Sequence, residues 1–397
     1  MRAFADGQVS VILPAYLTAI GFSATQIGAL VTATLLGSAV ATLAVGLFAH
    51  RLAGRALLLA ACALMLGTGL GFASLEDFAP LLVVAALGTL NPTAGDVSVF
   101  LPLEQSLLAG QVAPAERAAL YARSNVAAAL SAALGALSCA FPEPLARLHG
   151  VAPTGALRAA FLVYAAAALG AAALYRGLDP AAGEPVAEAP SAPLVRSRGV
   201  VLRLSALFTL DSFGGGFVVQ SILALWLFQR FGFSLADAAG FFFVATLLAG
   251  LSQLASPMLA RRIGLVPTMV YTHLPANALL VAAACVPSAP LAIALLLLRT
   301  ALSSMDVPAR QAFVMSVVPP EERAAAASLT NVPRSLGAGL APLLAGALLA
   351  RSAFGWPLVV GGTAKIVYDL LLLRAFRHHA ASRVDGPAPR SSAGAAR

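Results

Sequence analysis

Long apolar runs recur from one end of the chain to the other, and short polar segments separate them. A helix needs about 20 apolar residues to cross a bilayer, and each run is of that order. The pattern therefore predicts an all-α integral membrane protein with twelve transmembrane helices, called helices 1 to 12 below. Their predicted ranges are 3–21, 25–49, 56–75, 79–107, 118–141, 158–178, 200–228, 235–260, 265–286, 290–318, 324–350 and 356–376.

Two polar segments interrupt this pattern. Residues 179–199 contain four prolines among mixed charges, a composition typical of a flexible linker. The end of the chain is polar and rich in Ser, Pro and Arg. We therefore predict an N-terminal six-helix bundle (1–178), a cytoplasmic linker (179–199), a C-terminal six-helix bundle (200–376) and a disordered cytoplasmic tail (377–397).

Composition restricts the class of protein. The chain of 397 residues is 59% hydrophobic and only 11% charged, whereas soluble domains have about 25% charged residues. This excludes a soluble enzyme and a disordered chain, and a β-barrel would show short alternating segments instead. Cys62, Cys139 and Cys285 lie far apart in apolar runs, so we expect no disulfide framework, no metal site and no cofactor.

The net charge of +8 is distributed as the positive-inside rule requires. If both termini are cytoplasmic, most loop arginines lie on the cytoplasmic side, and the outer side has only Arg147, Arg158, Arg230 and Arg351. The pattern predicts an N-in/C-in topology and attraction to anionic lipids of the inner leaflet. Because the basic character is a topology signal, we do not expect nucleic acid as a partner.

The two halves of the chain share an internal repeat. Residues 21–23 (Gly-Phe-Ser) match residues 232–234, and residues 114–117 (Pro-Ala-Glu-Arg) match residues 320–323 (Pro-Glu-Glu-Arg). Two such matches in corresponding loops are not expected by chance. The chain is therefore predicted to be a duplicated six-helix unit, which is a common transporter architecture.

The two sets of six helices, the linker, the topology and the basic loops after helices 2 and 8 resemble the major facilitator superfamily of transporters. The signature of its loop between helices 2 and 3 reads roughly G-x-L-A-D-R-x-G-R-R. Here His50 stands where the family has aspartate, and Arg261 occupies that position in the second copy. In the family this aspartate helps to latch the two halves in the outward-open state. The resemblance implies a role in conformational change for Gly46, His50, Arg51, Arg55, Arg261 and Arg262.

In that family helices 1, 4, 7 and 10 line the central cavity, and this chain concentrates its intramembrane charges on them. A charged side chain at membrane depth costs at least about 2.5–3.5 kcal/mol unless it is paired or faces water. A buried carboxylate can exchange a proton during transport; alternatively, these acids form structural salt bridges near a gate. We expect Asp6 and Asp211 to be equivalent in the two copies. The proton-coupling candidates are Asp6, Asp96, Glu104, Asp211 and Asp306.

An arginine in a cavity can anchor a carboxylate or phosphate, because its planar guanidinium donates two parallel hydrogen bonds. On helix 10, steps of 7 and 11 residues place Arg299, Asp306 and Arg310 on one face. Such polar side chains can instead bind a buried acid or a neighbouring helix. The substrate-binding candidates are Arg123, Gln220, Arg299, Arg310 and Arg334.

Three polar residues lie on helices outside the cavity set. Lys365 and Asp369 are spaced i, i+4 on helix 12, which predicts a local structural ion pair. His273 on helix 9 is predicted to be a hydrogen-bonded packing residue rather than a proton carrier.

These features favour a secondary active transporter whose two halves rock around a site at the bilayer midplane. We expect proton coupling, export rather than uptake, and a small polar substrate that is anionic or zwitterionic. The alternative is a uniporter, or an uptake carrier of the same fold without proton coupling. A membrane-embedded enzyme would need a His/Asp cluster or a metal-ligand spacing, and a sensor would carry a large soluble domain. We expect a monomer in the cytoplasmic (inner) membrane of a bacterium.

Overall fold

A computed structural model describes residues 1–48, 54–93, 100, 103–104, 107–108, 116–178 and 194–376. All secondary structure in these ranges is helical. Asp96, His50, Arg51 and the predicted tail (377–397) lie outside the described residues. Gly46 is described only as part of the backbone of helix 2. The division into two bundles and a linker stays a prediction.

The helices of the N-terminal half follow the predicted order. An additional short helix, Pro142–His149, separates helices 5 and 6. The bounds of the others are Arg2–Ala19 (helix 1), Ala24–Phe48 (helix 2), Gly54–Ser74 (helix 3), Phe78–Leu87 (the described start of helix 4), Arg117–Ser138 (helix 5) and Pro153–Arg176 (helix 6).

The C-terminal half contains two broken helices, whose parts we call 7a, 7b, 10a and 10b. A 3₁₀ turn, Pro320–Glu322, precedes helix 11. The bounds are Arg198–Gly216 (7a), Gln220–Phe231 (7b), Leu235–Ile263 (helix 8), Leu265–Cys285 (helix 9), Ala289–Ser303 (10a), Asp306–Val317 (10b), Arg323–Arg351 (helix 11) and Trp356–Phe376 (helix 12).

Within the described part of the chain, ten helical stretches are long and apolar enough to cross a membrane. Helix 1 is not one of these ten; it has 18 residues, includes Asp6 and Gln8, and is buried along most of its length. The described start of helix 4 is a shorter apolar helix. The count of twelve spans and the N-in/C-in orientation therefore stay predictions.

The breaks in helices 7 and 10 have local causes, although each was predicted as one continuous helix. Helix 7a ends in a run of three glycines, 214–216, which hold helical geometry weakly. Pro308, near the start of helix 10b, has no N–H, and its ring clashes with the carbonyl of Ser304 in a continuous helix. Both breaks leave irregular backbone inside the bundle, where protein can satisfy its polar groups.

Helix packing repeats between the two halves. Helix 1 packs on helices 5 and 6, as helix 7a packs on helices 11 and 12. Helices 3 and 6 correspond in the same way to helices 9 and 12, and helices 2 and 4 to helices 8 and 10. Helix 2 packs on helix 11 and helix 5 on helix 8, which joins the halves by two equivalent contacts.

The two ends of the bundle differ in how closely the halves meet. At the end where helices 2 and 8 begin, Ser221 Oγ donates to the carbonyl of Ser10 at 2.8 Å, and Leu343 N–H donates to Thr32 Oγ1 at 2.9 Å. Toward the opposite end, residues 123–128 of helix 5 are all exposed. Among the described residues, these contacts between the halves therefore lie on the side of the bundle where helices 2 and 8 begin.

Candidate functional site

Asp211 lies on helix 7a, three residues before the glycine run, with its side chain only 7% exposed. Lys365 of helix 12 donates to its Oδ1 at 2.6 Å, and Arg310 of helix 10b donates to its Oδ2 at 3.0 Å. Arg310 Nη1 also lies 3.8 Å from Asp306 Oδ2. One carboxylate therefore joins helices 7, 10 and 12 through two cations.

The glycine run makes room for the stem of Lys365. A Cβ at position 214 would lie 2.9 Å from Lys365 Cγ, a separation that real side chains do not adopt, and one at position 215 would lie 3.6 Å from Nζ. Close passage of this kind is what glycine permits between transmembrane helices. The same glycines thus end helix 7a and admit the lysine to Asp211.

His273 of helix 9 stands between two carboxylates. Its Nδ1 is 2.9 Å from Asp369 Oδ1, and its Nε2 is 3.8 Å from Asp211 Oδ1. Asn277 donates to the other oxygen of Asp369 at 3.0 Å. Asn277 Nδ2 also lies 3.2 Å from His273 Nδ1. We call Asp211, Arg310, Lys365, His273 and Asp369 the Asp211 cluster.

The local ion pair predicted between Lys365 and Asp369 is wrong. Lys365 bonds to helix 7, and Asp369 bonds to two side chains of helix 9. The i, i+4 spacing gives a pair its stability on an exposed helix face, but here both side chains are buried against different helices. His273 is hydrogen-bonded in the interior, as predicted, and its partner is a carboxylate.

Two arginines beside the cluster have no carboxylate partner among the described residues. Arg334 of helix 11 donates to Ser212 Oγ at 3.1 Å. Arg299 lies one turn after the buried Leu296 on helix 10a, and its Nε is buried without a hydrogen-bond partner. Both arginines lie within the electrostatic field of Asp211. The described residues around Asp211 therefore carry a surplus of positive charge.

A second, partly buried cluster lies in the N-terminal half. Arg2 of helix 1 donates to Glu104 at 2.8 Å and to Asp6 at 3.2 Å. The hydroxyl of Tyr175 on helix 6 donates to the same Glu104 at 2.9 Å. We call these four residues the Arg2 cluster. It brings together two predicted acids, Asp6 and Glu104, through an arginine that the sequence analysis did not select.

Glycine contacts set the register between the two copies of the repeat. Gly7 packs on the backbone of Ala132 in helix 5, and Gly216 packs on the backbone of Ala338 in helix 11. The two alanines are 206 residues apart, which is the spacing of the repeat in the loops before helices 5 and 11. Gly7 and Gly216, 209 residues apart, are therefore equivalent.

This register corrects the expected equivalence of Asp6 and Asp211. A shift of 209 residues from Asp211 leads to Arg2, and a shift of 206 residues from Arg310 leads to Glu104. The ion pair between helices 1 and 4 is thus the counterpart of the pair between helices 7 and 10, with the signs exchanged. The expectation was wrong because it matched residue types, whereas backbone contacts determine the register.

The remaining substrate-binding candidates lie apart from the Asp211 cluster. Gln220 begins helix 7b, and its Nε2 is buried without a hydrogen-bond partner. Arg123 is exposed on helix 5. The three charged residues predicted on one face of helix 10 are separated by the break, and Arg310 contacts Asp211 while Arg299 does not.

The loop residues of the family signature are described only in part. Arg55 Nη1 donates to the carbonyl of Leu178 at 3.2 Å, which ties the start of helix 3 to the end of helix 6. Arg261 and Arg262 are exposed in the last turn of helix 8. A role of these residues in conformational change stays a prediction.

Comparisons with known proteins agree with this architecture. The sequence profile of the Major Facilitator Superfamily matches residues 1–299. An uncharacterized membrane protein of Saccharomyces cerevisiae, YJR124C, is 25% identical over 95% of this chain and 92% of its own length.

Solved transporter structures share the fold. The D-xylose-proton symporter has a TM-score of 0.74 at 14% identity, over 93% of this chain and 94% of its own. The nucleoside transporter NupG has a TM-score of 0.70 at 12% identity, over 94% and 96% of the two chains. The human organic anion transporter MFSD10 has a TM-score of 0.60 at 18% identity, over 93% and 97%. The chain belongs to the major facilitator superfamily and is a membrane transporter of small molecules, not an enzyme.

Proposed function

We propose that this transporter moves a small polar solute bearing an anionic group and that it couples this movement to protons. The observation that carries the proposal is the charge balance around Asp211. The cluster contains acids that can exchange protons, and beside it stand cations without acids.

The surplus positive charge supports the anionic substrate. The carboxylates of Asp211 and Asp306 balance the two cations that contact them. Asp369 of the same cluster offsets one of the two remaining arginines, Arg299 and Arg334, so the described residues have one positive charge in excess. An uncompensated arginine at membrane depth costs at least about 2.5–3.5 kcal/mol. A carboxylate or phosphate of the substrate would offset this cost, since a guanidinium binds such groups through two parallel hydrogen bonds.

The contacts of Asp211 support proton coupling. Protonation would remove the negative charge that holds Arg310 and Lys365, and the links among helices 7, 10 and 12 would weaken. Deprotonation would restore them. Because helices 7 and 10 are both broken beside this carboxylate, a change in its contacts can alter the tilt of their halves, as alternating access requires.

For direction we propose export in exchange for protons, and uptake or uniport are the alternatives. One structural neighbour is named an organic anion transporter and another a proton symporter. Those substrates and couplings belong to the neighbours, and their likeness to this chain concerns the fold. We further propose a monomer in the inner membrane of a bacterium, although the named relative is a yeast protein.

Proteoliposomes that enclose a pH-sensitive dye test the proposal. Inorganic phosphate, succinate, gluconate and glutamate would be added in turn, with glucose and a lipophilic cation for comparison. We expect an anion to change the internal pH in wild-type vesicles, and its sign relative to the imposed gradient gives the direction. Asp211→Asn should abolish the pH change, and Arg299→Gln and Arg334→Gln should raise the anion concentration needed for half-maximal transport.

Arg203→Gln is the matched control, because Arg203 is an exposed arginine of the same helix 7a. It should leave transport unchanged. Movement of labelled anion without any pH change would contradict proton coupling and support uniport. Transport of glucose or the cation, with all the anions inactive, would contradict the anionic substrate.

A further inference from the structure

Prolines within helices 1 and 11 leave carbonyl groups without their helical partners. In an α-helix a carbonyl accepts from the N–H group four residues later, and proline has no N–H. Pro14 of helix 1 therefore frees the carbonyl of Ser10, and Pro333 of helix 11 frees the carbonyl of Leu329. A carbonyl freed inside a helix bundle needs another donor.

A serine of helix 7 supplies the donor in both places. Ser205 Oγ donates to the carbonyl of Leu329 at 2.7 Å, and Ser221 Oγ donates to the carbonyl of Ser10 at 2.8 Å. The first bond joins two helices of the C-terminal half. The second bond joins the C-terminal half to the N-terminal half, so it requires the halves to meet.

Ser221 also binds a second carbonyl of the N-terminal half. Its N–H group donates to the carbonyl of Pro92 at 3.2 Å, and its hydroxyl lies 3.1 Å from the same oxygen. Ser221 is the second residue of helix 7b, and the first N–H groups of a helix have no partner within it. The irregular backbone at Pro92 thus caps the start of helix 7b from the other half.

The segment that contains Pro92 is fixed to its own half. Thr68 Oγ1 of helix 3 accepts from the N–H of Thr89 at 3.3 Å, and the hydroxyl of Tyr164 on helix 6 donates to the carbonyl of Thr89 at 2.9 Å. Pro92 therefore moves with helices 3 and 6. Its bond to Ser221 must break when the two halves separate at this end.

We infer that Ser221 is a latch that holds the halves together at the end where helices 2 and 8 begin, and that Pro14 creates one of its two acceptors. With the latch closed, Ser221 is fully buried and its N–H and O–H groups both have acceptors. With the halves apart, Ser221 and the carbonyls of Ser10 and Pro92 lose these partners and require water. The strength of the latch therefore sets how often the bundle opens at this end.

The reaction rate of a buried cysteine measures this opening. Ala224 is fully buried one turn after Ser221 on helix 7b, which packs on helices 1 and 2 of the other half. In lipid nanodiscs, a water-soluble maleimide should alkylate the thiol of Ala224→Cys only when the halves part. Cys285→Ser removes the exposed cysteine of the natural chain, and Cys62 and Cys139 are buried.

Ser221→Ala should raise this alkylation rate about fivefold, the factor that corresponds to one lost hydrogen bond. Ser205→Ala is the matched control, because it also removes a serine from a carbonyl freed by proline, but within one half. Both substitutions should lower the melting temperature, and only Ser221→Ala should raise the rate. No rise with Ser221→Ala, or an equal rise with Ser205→Ala, would overturn the latch.

Pro14→Ala tests the origin of the latch. An alanine N–H at this position can bond to the carbonyl of Ser10 within helix 1, so that carbonyl no longer depends on Ser221. Ser221→Ala should then raise the alkylation rate less than it does in the presence of Pro14. An undiminished effect would overturn the role of Pro14. The experiment uses neither a substrate nor a proton gradient, so its outcome is independent of the proposed function.

Discussion

The two halves of the bundle build an ion pair from equivalent helices but exchange the signs. In the N-terminal half the cation, Arg2, is on helix 1 and the acid, Glu104, is on helix 4. In the C-terminal half the acid, Asp211, is on helix 7 and the cation, Arg310, is on helix 10. The side chains are 18% and 27% exposed in the first pair but 11% and 7% in the second.

This difference in burial changes what each ion pair contributes to stability. Water reaches the N-terminal pair and screens its charges. Removal of either partner should therefore change the free energy of unfolding only weakly. The C-terminal pair is more deeply buried, and its acid also binds Lys365. Loss of one partner therefore leaves an unpaired charge in a low-dielectric interior. The equivalent positions of the two halves therefore hold one partly exposed ion pair and one buried ion pair.

The largest effect should follow Asp211→Asn. It leaves Lys365 without its carboxylate partner and Arg310 with Asp306 alone, at 3.8 Å. Removal of one member of a buried ion pair costs about 3–5 kcal/mol, so we expect a loss of that order in the free energy of unfolding. Denaturant unfolding in detergent micelles would measure it, and a loss below that of Glu104→Gln would contradict the comparison between the halves.

Glu104→Gln should have a smaller effect. Arg2 keeps its contact with Asp6 at 3.2 Å, and the amide can still accept from Tyr175. Loss of one charge-assisted hydrogen bond costs about 1.5–3 kcal/mol, and partial exposure moves the expected value to the lower end. The same unfolding measurement would report it. We also expect the vesicle pH signal to survive this change, and its complete loss would give the N-terminal pair a part in coupling.

Glu322 offers a third comparison, between the loops that precede helices 11 and 5. Its buried carboxylate accepts hydrogen bonds from the Ser197 hydroxyl and from the backbone N–H groups of Val195, Arg196 and Ser197, which anchor the start of helix 7. These bonds lower the pKa of Glu322 to about 2, with the Ser197 hydroxyl as the largest cause. Its repeat counterpart, Glu116, is exposed.

Glu322→Gln should lower the melting temperature modestly at neutral pH, and Glu116→Gln should not. A lowered pKa in the folded state stabilises the fold above the unfolded value of about 4.5, and this stabilisation is lost as the pH falls toward about 2. The difference between wild type and Glu322→Gln should therefore shrink as the pH is lowered from 5 toward about 3. Equal effects of the two substitutions would contradict the assigned anchor.

Much of the fold could be predicted from the sequence, because long apolar runs indicate the helices and the loop arginines indicate where one helix ends and the next begins. The partners of the buried charges could not be predicted, because residue spacing along one helix does not show which neighbouring helix each side chain contacts. Lys365 and Asp369 share one face of an isolated helix, yet they bond to helices 7 and 9.

Helix 7 also breaks where helix 1 does not, and the register of the repeat gives a reason. The spacing between the copies is 209 residues at Gly7 and Gly216, and 211 residues at the loops 21–23 and 232–234. Helix 7 therefore contains two residues more than helix 1 between these points. An α-helix cannot absorb two extra residues without turning its later side chains to another face, so the chain leaves helical geometry around residues 217–219.

Ser10 and Ser221 follow the later spacing, being 211 residues apart, and they contact each other where the halves close. In a pair of identical six-helix ancestors, they would have been one residue meeting its own copy on the twofold axis, and every substitution there would have appeared on both sides at once. Fusion of the two copies removed that constraint. The Ser221 hydroxyl now donates to the carbonyl of Ser10. A substitution in one half can therefore change this contact without a matching change in the other half.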